Sequence, residues 1–220
     1  MKLKLLMAFS LMLPLSLAAQ NKDWANYSHY SEANTKVAVA PKAVLFGDSI
    51  TDAWPYRDPD FFKDNNLVGR GISGQTTTQI LCRMREDVVN LKPKYVVILA
   101  GINDIAINDG HAPDVRRAVE NIKAMCDIAK ANKIKPVICS LLPSYKIGWR
   151  PSVTDAAEKV AEFNSLLKAY AEENKIAYAD YYSLFADENN HMPAKYSDDT
   201  VHPNIEGYKM MESCLLKILK

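Results

Sequence analysis

Ala43-Val44-Leu45-Phe46-Gly47-Asp48-Ser49-Ile50-Thr51 is the stretch from which the fold reads. Its four apolar residues do not alternate with polar ones, which suits a strand buried on both faces. Working outward, the same kind of run recurs at Asn66-Leu67-Val68, Tyr95-Val96-Val97-Ile98-Leu99, Pro136-Val137-Ile138-Cys139 and Ile176-Ala177-Tyr178-Ala179. Between the runs lie amphipathic segments of helical spacing. Val115, Ala118, Val119, Ile122, Cys126 and Ala129 form one stripe, with Pro113 where a first turn would begin. Val160, Phe163, Leu167 and Tyr170 form a second, preceded by Ser152 and Asp155 in capping-box-like spacing. Tyr208, Met211, Leu215 and Ile218 form a third. Strands alternating with helices predict a parallel sheet covered on both faces. In such a sheet the ligand crevice lies beyond the carboxyl ends of the strands.

Four polar blocks fall at those ends. Gly47-Asp48-Ser49-Ile50-Thr51 sets a serine between a strand and a helix, where backbone N–H groups favour an anion. The second glycine of G-x-S-x-G is missing, so this is not the usual α/β-hydrolase elbow, and a helix-capping serine is the alternative. Gly69-Arg70-Gly71-Ile72-Ser73-Gly74-Gln75 follows the second run. Its glycines imply tight backbone near a ligand, or a turn needing positive φ. Gly101-Ile102-Asn103-Asp104 offers a side-chain amide to the crevice or, with Asp104, simply a turn. Asp198-Asp199-Thr200-Val201-His202-Pro203-Asn204 supplies a histidine with a carboxylate three residues earlier, a base and its orienting partner from one loop. The spacing of three favours Asp199 over Asp198 as that partner.

Taken together and in this order, the blocks resemble the SGNH (GDSL-type) hydrolase family, and the resemblance covers the chain from about residue 42. Ser49, Gly74, Asn103 and His202 match the four family residues. The segment from Gly71 through Asp104 is especially similar to bacterial members and to the catalytic subunits of platelet-activating-factor acetylhydrolase. The resemblance implies a flavodoxin-like three-layer α/β/α sandwich around a five-stranded parallel sheet. It also implies a serine esterase: Ser49 attacks an ester carbonyl, His202 takes its proton, and Asp199 holds the imidazole. The Ser49 and Gly74 backbone N–H groups and the Asn103 amide then form the oxyanion hole. No cofactor or metal is expected. H-E-x-x-H is absent, and His29, His111 and His191 are scattered.

The two ends and the composition bound the rest. Lys2 and Lys4, an apolar run from Leu5 to Leu17 and Ala18-Ala19 read as an export signal over residues 1–19, and the run is short for a membrane span. A periplasmic or secreted protein is therefore expected, with no stable membrane insertion once the signal is cleaved. Residues 20–40 read as a leader that packs on the domain or stays mobile, and residues 41–220 as one hydrolase domain. Without the signal, 25 basic side chains face 26 acidic ones, which suggests neither nucleic acid nor an anionic surface as partner. Cys82, Cys126, Cys139 and Cys214 form no C-x-x-C pair. They read as buried thiols, although an exported chain can carry disulfides.

Substrate choice falls to the loops. Trp54 and Trp149 are candidates to stack on a sugar or wall an acyl pocket, with structural packing as the alternative. Arg150 reads as a solvated side chain or a contact for an acidic substrate. A small-molecule or glycan ester is the expected partner, and a small acyl group, chiefly acetyl, on a carbohydrate is the first expectation. A lysophospholipase or thioesterase would need a longer apolar channel. A non-catalytic glycan-binding protein would not need the full Ser49, Asp199 and His202 set.

Overall fold

The computed structural model describes residues 23–108, 110 and 114–220. The expected export signal, His111 and Pro113 lie outside the described residues. Five strands form one sheet: β1 (Ala43–Gly47), β2 (Leu67–Gly71), β3 (Tyr95–Leu99), β4 (Lys135–Cys139) and β5 (Ala177–Ala179). Their order is β2-β1-β3-β4-β5 and every pairing is parallel, the flavodoxin-like arrangement. The central strands β1 and β3 are buried at every position, as their unbroken apolar runs require.

In chain order the helices are α1 (Ser31–Thr35), α2 (Ser49–Arg57), α3 (Pro59–Asp64), α4 (Thr77–Cys82) and α5 (Met84–Asp87). They continue with α6 (Ile102–Ile105), α7 (Val115–Ala131), α8 (Ala156–Glu173), α9 (Tyr181–Phe185) and α10 (Ile205–Leu216). Helix α7 buries Ala118, Val119, Ile122, Met125, Cys126 and Ala129, the expected stripe with Met125 added, while Val115 is half-buried. Helix α8 buries Val160, Phe163 and Leu167. Its expected capping box is not made: the Asp155 carboxylate is drawn to Lys159 Nζ at 2.8 Å and gives no side-chain cap. Helix α10 buries Tyr208, Met211 and Leu215 but ends before Ile218.

The second strand runs further than its apolar residues suggest. Gly69, Arg70 and Gly71 belong to β2 rather than to a loop. A Cβ on Gly69 would lie 2.6 Å from Pro55 Cγ, so its glycine serves close packing of α2 against the strand. Only Gly74 of the three glycines in that block takes a positive φ, +80°.

The described part of the expected leader, from residue 23, packs on the domain. Tyr30 donates its hydroxyl to Gly71 O, and the main chain at Trp24 and Ala25 accepts from Gln79 Nε2 at 3.0 Å and Gln75 Nε2 at 2.9 Å. Asn34 joins Arg70 Nε (2.8 Å) to Asp87 Oδ1 (2.8 Å). Asp87 also pairs with Arg83, which is wholly buried under the face of Phe46. All four cysteines are free thiols; Cys126 and Cys139 are buried, and Cys82 and Cys214 half-buried. Among the described residues no helix is long and apolar enough to cross a membrane.

Candidate active site

Ser49 stands where β1 ends and α2 begins. Asp48 is the N-cap, its Oδ1 accepting from Ile50 N–H at 3.2 Å, so the serine hydroxyl is not needed as a cap. Instead Ser49 Oγ lies 2.8 Å from His202 Nε2. The other ring nitrogen, Nδ1, is 2.6 Å from Asp199 Oδ2. A carboxylate only accepts, so Nδ1 carries the proton and Nε2 is left to accept from the serine hydroxyl. Asp199 Oδ1 takes two backbone donors as well, His202 N–H at 2.7 Å and Val201 N–H at 2.9 Å. Partial burial opposes its charge, but the His202 side chain and these N–H groups outweigh that and hold the carboxyl below its ordinary value. Asp198 is exposed and makes none of these bonds.

The serine and the histidine are 153 residues apart, and α10 sets their spacing. Tyr208 donates its hydroxyl to Ile50 O at 2.8 Å, and Glu212 Oε1 accepts from Trp54 Nε1 at 3.1 Å. Lys209 pairs with Asp58. Each bond ties α10 to α2 or to the residue that ends it. The loop before α10 is closed by a bridge between Ser197 and Pro203 and by Thr200 Oγ1 donating to Lys146 O at 2.6 Å. Trp54 is thus a core residue, 1% exposed, stacked on Phe61 and packed against Tyr208. This corrects the expectation that it faces substrate. It lies five residues after Ser49 on α2, about one and a half helical turns, which turns it inward.

The Gly74 turn and Asn103 face Ser49 across the crevice. Asp52 Oδ2 accepts from Ser73 Oγ at 2.6 Å and from Ser73 N–H at 3.2 Å, and so fastens the turn to α2. Gln75 is buried. Its Oε1 accepts from Arg83 Nε at 2.8 Å, which anchors the turn to the buried ion pair beneath. At the end of β3, Gly101 turns the chain with φ +133°, and a Cβ there would lie 2.5 Å from the Phe163 ring, so only glycine fits. The turn delivers Asn103, 1% exposed, whose Nδ2 donates to Gln75 O at 3.1 Å. Its neighbour Asp104 accepts from Thr77 N–H and Oγ1 at 2.9 and 2.7 Å, fixing α6 against α4.

Ser49, Ser73, Gly74, Asn103, Asn108, Trp149 and His202 line an open cavity of about 350 Å³ at the carboxyl end of the sheet. Larger hollows at the opposite end, such as one of about 400 Å³ among Lys130, Lys133, Lys135 and Lys175, hold neither serine nor histidine. The Trp149 ring lies 5.7 Å from the His202 ring, and the residue is 41% exposed. Arg150 is half-buried, with Nη2 donating to Ile107 O at 3.2 Å, so it docks its loop rather than standing in solvent. Ser73 and Asn108 were not singled out from the sequence. Asn108 sits in a polar turn that carries no motif, and only the chain's return past Asn103 brings it to the cavity. Among the described residues no three His, Cys, Asp or Glu side chains converge as a metal site.

This α/β/α sandwich, with its small cavity at the strand ends, is the frame of a carboxylic ester hydrolase. The chain belongs to the GDSL-like lipase/acylhydrolase family, whose model matches residues 45–210. Among solved structures, an acylhydrolase candidate from Bacteroides fragilis NCTC 9343 is 46% identical with a TM-score of 0.86, over 90% of this chain and 97% of that one. The lipoprotein YqeF of Bacillus subtilis is 34% identical over 46% of this chain, a match that spans about half (48%) of its own length. The acetylxylan esterase of Geobacillus stearothermophilus is 25% identical over 69% of this chain and 70% of its own.

Proposed function

We propose that this protein is an exported serine esterase that removes small acyl groups, chiefly acetyl, from carbohydrate esters. The observation that carries this reading is the hydrogen-bonded row Ser49 Oγ, His202 and Asp199, with separations of 2.8 and 2.6 Å, opening on one small cavity. In the first half-reaction His202 Nε2 takes the Ser49 proton as Oγ bonds to the ester carbon. Asp199 stabilises the imidazolium so formed. The oxyanion receives the Ser49 and Gly74 backbone N–H groups and the remaining Nδ2 proton of Asn103. The imidazolium gives its proton to the leaving alcohol. Water then attacks the acyl-enzyme with His202 as base, releasing the acid and restoring the serine.

The cavity lined by the described residues is small enough to suit a short acyl chain, and Trp149 presents a face on which a sugar ring can stack. An acetylxylan esterase among the relatives supports the same substrate class. The basic, apolar and small-residue order of residues 1–19 supports a periplasmic or secreted location. The test is a series of p-nitrophenyl esters from acetate to decanoate, beside acetylated xylooligosaccharides and other acetylated glycans, with and without EDTA. Acetate should be the fastest ester, glycan deacetylation measurable and EDTA without effect. A preference for decanoate of about tenfold would overturn the small-acyl reading. EDTA inactivation reversed by zinc would overturn the metal-free mechanism.

A further inference from the structure

We propose that Asn108 is a positioning residue whose side chain sets which end of the Asn103 amide faces the oxyanion. The inference rests on the esterase reading above, in which Asn103 Nδ2 donates to the tetrahedral oxygen. A carboxamide can lie either way round in its site, and the two ways have opposite consequences: Nδ2 stabilises an oxyanion and Oδ1 repels it. Something must therefore choose between them.

The structure contains a row of groups that makes the choice. Trp149 Nε1 donates to Asn108 Oδ1 at 3.0 Å. Asn108 Nδ2 donates to Asn103 Oδ1 at 2.7 Å and approaches Gly74 O at 3.3 Å. Asn103 Nδ2 donates to Gln75 O at 3.1 Å. Both ends of the row are held by groups with a single role. An indole N–H can only donate, and a peptide carbonyl can only accept. The indole requires the oxygen of Asn108 on its side, and the Gly74 carbonyl requires the amino group on the other. That amino group in turn requires the oxygen of Asn103. The Gln75 carbonyl makes the same demand from the far end, so Asn103 keeps one Nδ2 proton on Gln75 and turns the second to the cavity. The main chain brings Asn108 into place by a tight return: Asn108 N–H donates to Asn103 O at 3.0 Å, and Ile107 takes φ +57°, a conformation a β-branched residue rarely adopts.

The decisive variant is Asn108→Asp. It keeps the side-chain shape and the oxygen that receives the Trp149 N–H, but it has no proton for Asn103 Oδ1. The introduced carboxylate should draw Asn103 Nδ2 toward itself and turn Oδ1 to the cavity. We expect kcat to fall about 10²-fold, as for loss of an oxyanion donor, with KM within about twofold. Asn108→Ala removes donor and acceptor together and should cost only about tenfold in kcat, because Gln75 O still favours the productive orientation. Made in an Asn103→Ala background, Asn108→Asp should add no more than about threefold, since nothing is left to orient. Equal losses in both backgrounds would overturn the proposal in favour of a direct charge effect or a general disturbance. Raised KM with unchanged kcat in both Asn108 variants would make Asn108 a substrate contact instead. Asn103→Ala alone identifies failure of the underlying reading: if it leaves kcat intact, Asn103 is not an oxyanion donor and the role of Asn108 falls with it.

Discussion

Two aspartates flank the serine and the histidine, and their surroundings send them in opposite directions. Asp48 lies on the sheet side, 1% exposed at the end of β1. Burial pushes its carboxyl up to about 7, against the smaller opposing effects of the Ile50 N–H and His202, and the nearby Asp104 adds to the rise. Asp199 lies on the loop side, with half its side chain exposed, and its donors hold it below the ordinary value. One acid is therefore held up to about 7 beneath Ser49 while the other stays charged behind His202. The difference teaches that depth and donor supply act together: full burial with one donor raises Asp48, whereas partial burial with several donors lowers Asp199. Asp199 has four donors on two oxygens, whereas Asp48 Oδ2 is buried without a partner.

The sheet side should dominate catalysis. Ser49→Ala is expected to lower p-nitrophenyl acetate hydrolysis by about 10⁴-fold or more with an unchanged circular-dichroism spectrum. Near-normal turnover by the folded variant would remove Ser49 from the reaction. On the loop side, Asp199→Asn should reduce kcat/KM by about 10²–10³-fold, below the ~10⁴ of serine proteases. Asp198→Asn, measured beside it, should stay within about twofold. A larger loss at Asp198 would mean that the loop rearranges around a different partner for His202.

The smallest effect expected is on stability. Between pH ~4 and ~7 the folded chain keeps the Asp48 proton that the unfolded chain has released, so this group weakens the fold as pH rises through that window. Asp199 has the opposite sign: its stabilisation is present above the ordinary carboxylate value and is lost as pH falls through its lowered folded value. Asp48→Asn should therefore flatten the fall of Tm between pH ~4 and ~7. An identical slope in the variant would show that Asp48 is already charged in the folded protein.

Most of the architecture was legible along the chain, because it depends on short-range pattern. Unbroken apolar runs such as Tyr95–Leu99 can be satisfied only inside a sheet, and the spacing of Ala118, Val119, Ile122 and Cys126 only on one helix face. Ser49, Gly74, Asn103 and His202 stood out because each closes a strand or precedes a helix, where side chains reach the crevice. The length of β2 was less legible, since Gly69 and Gly71 look like turn residues until Pro55 is seen packed against the strand. The fate of the two tryptophans could not be read at all. Trp54 goes inward because Phe61 and Glu212 receive it, and Trp149 stands at the cavity because Asn108, 41 residues away, takes its N–H. Local periodicity fixes which way a side chain leaves its own helix or strand. What it then meets depends on hydrogen-bond partners and surfaces from distant segments, and these come together only when the sheet has ordered its strands and α10 has closed back onto α2.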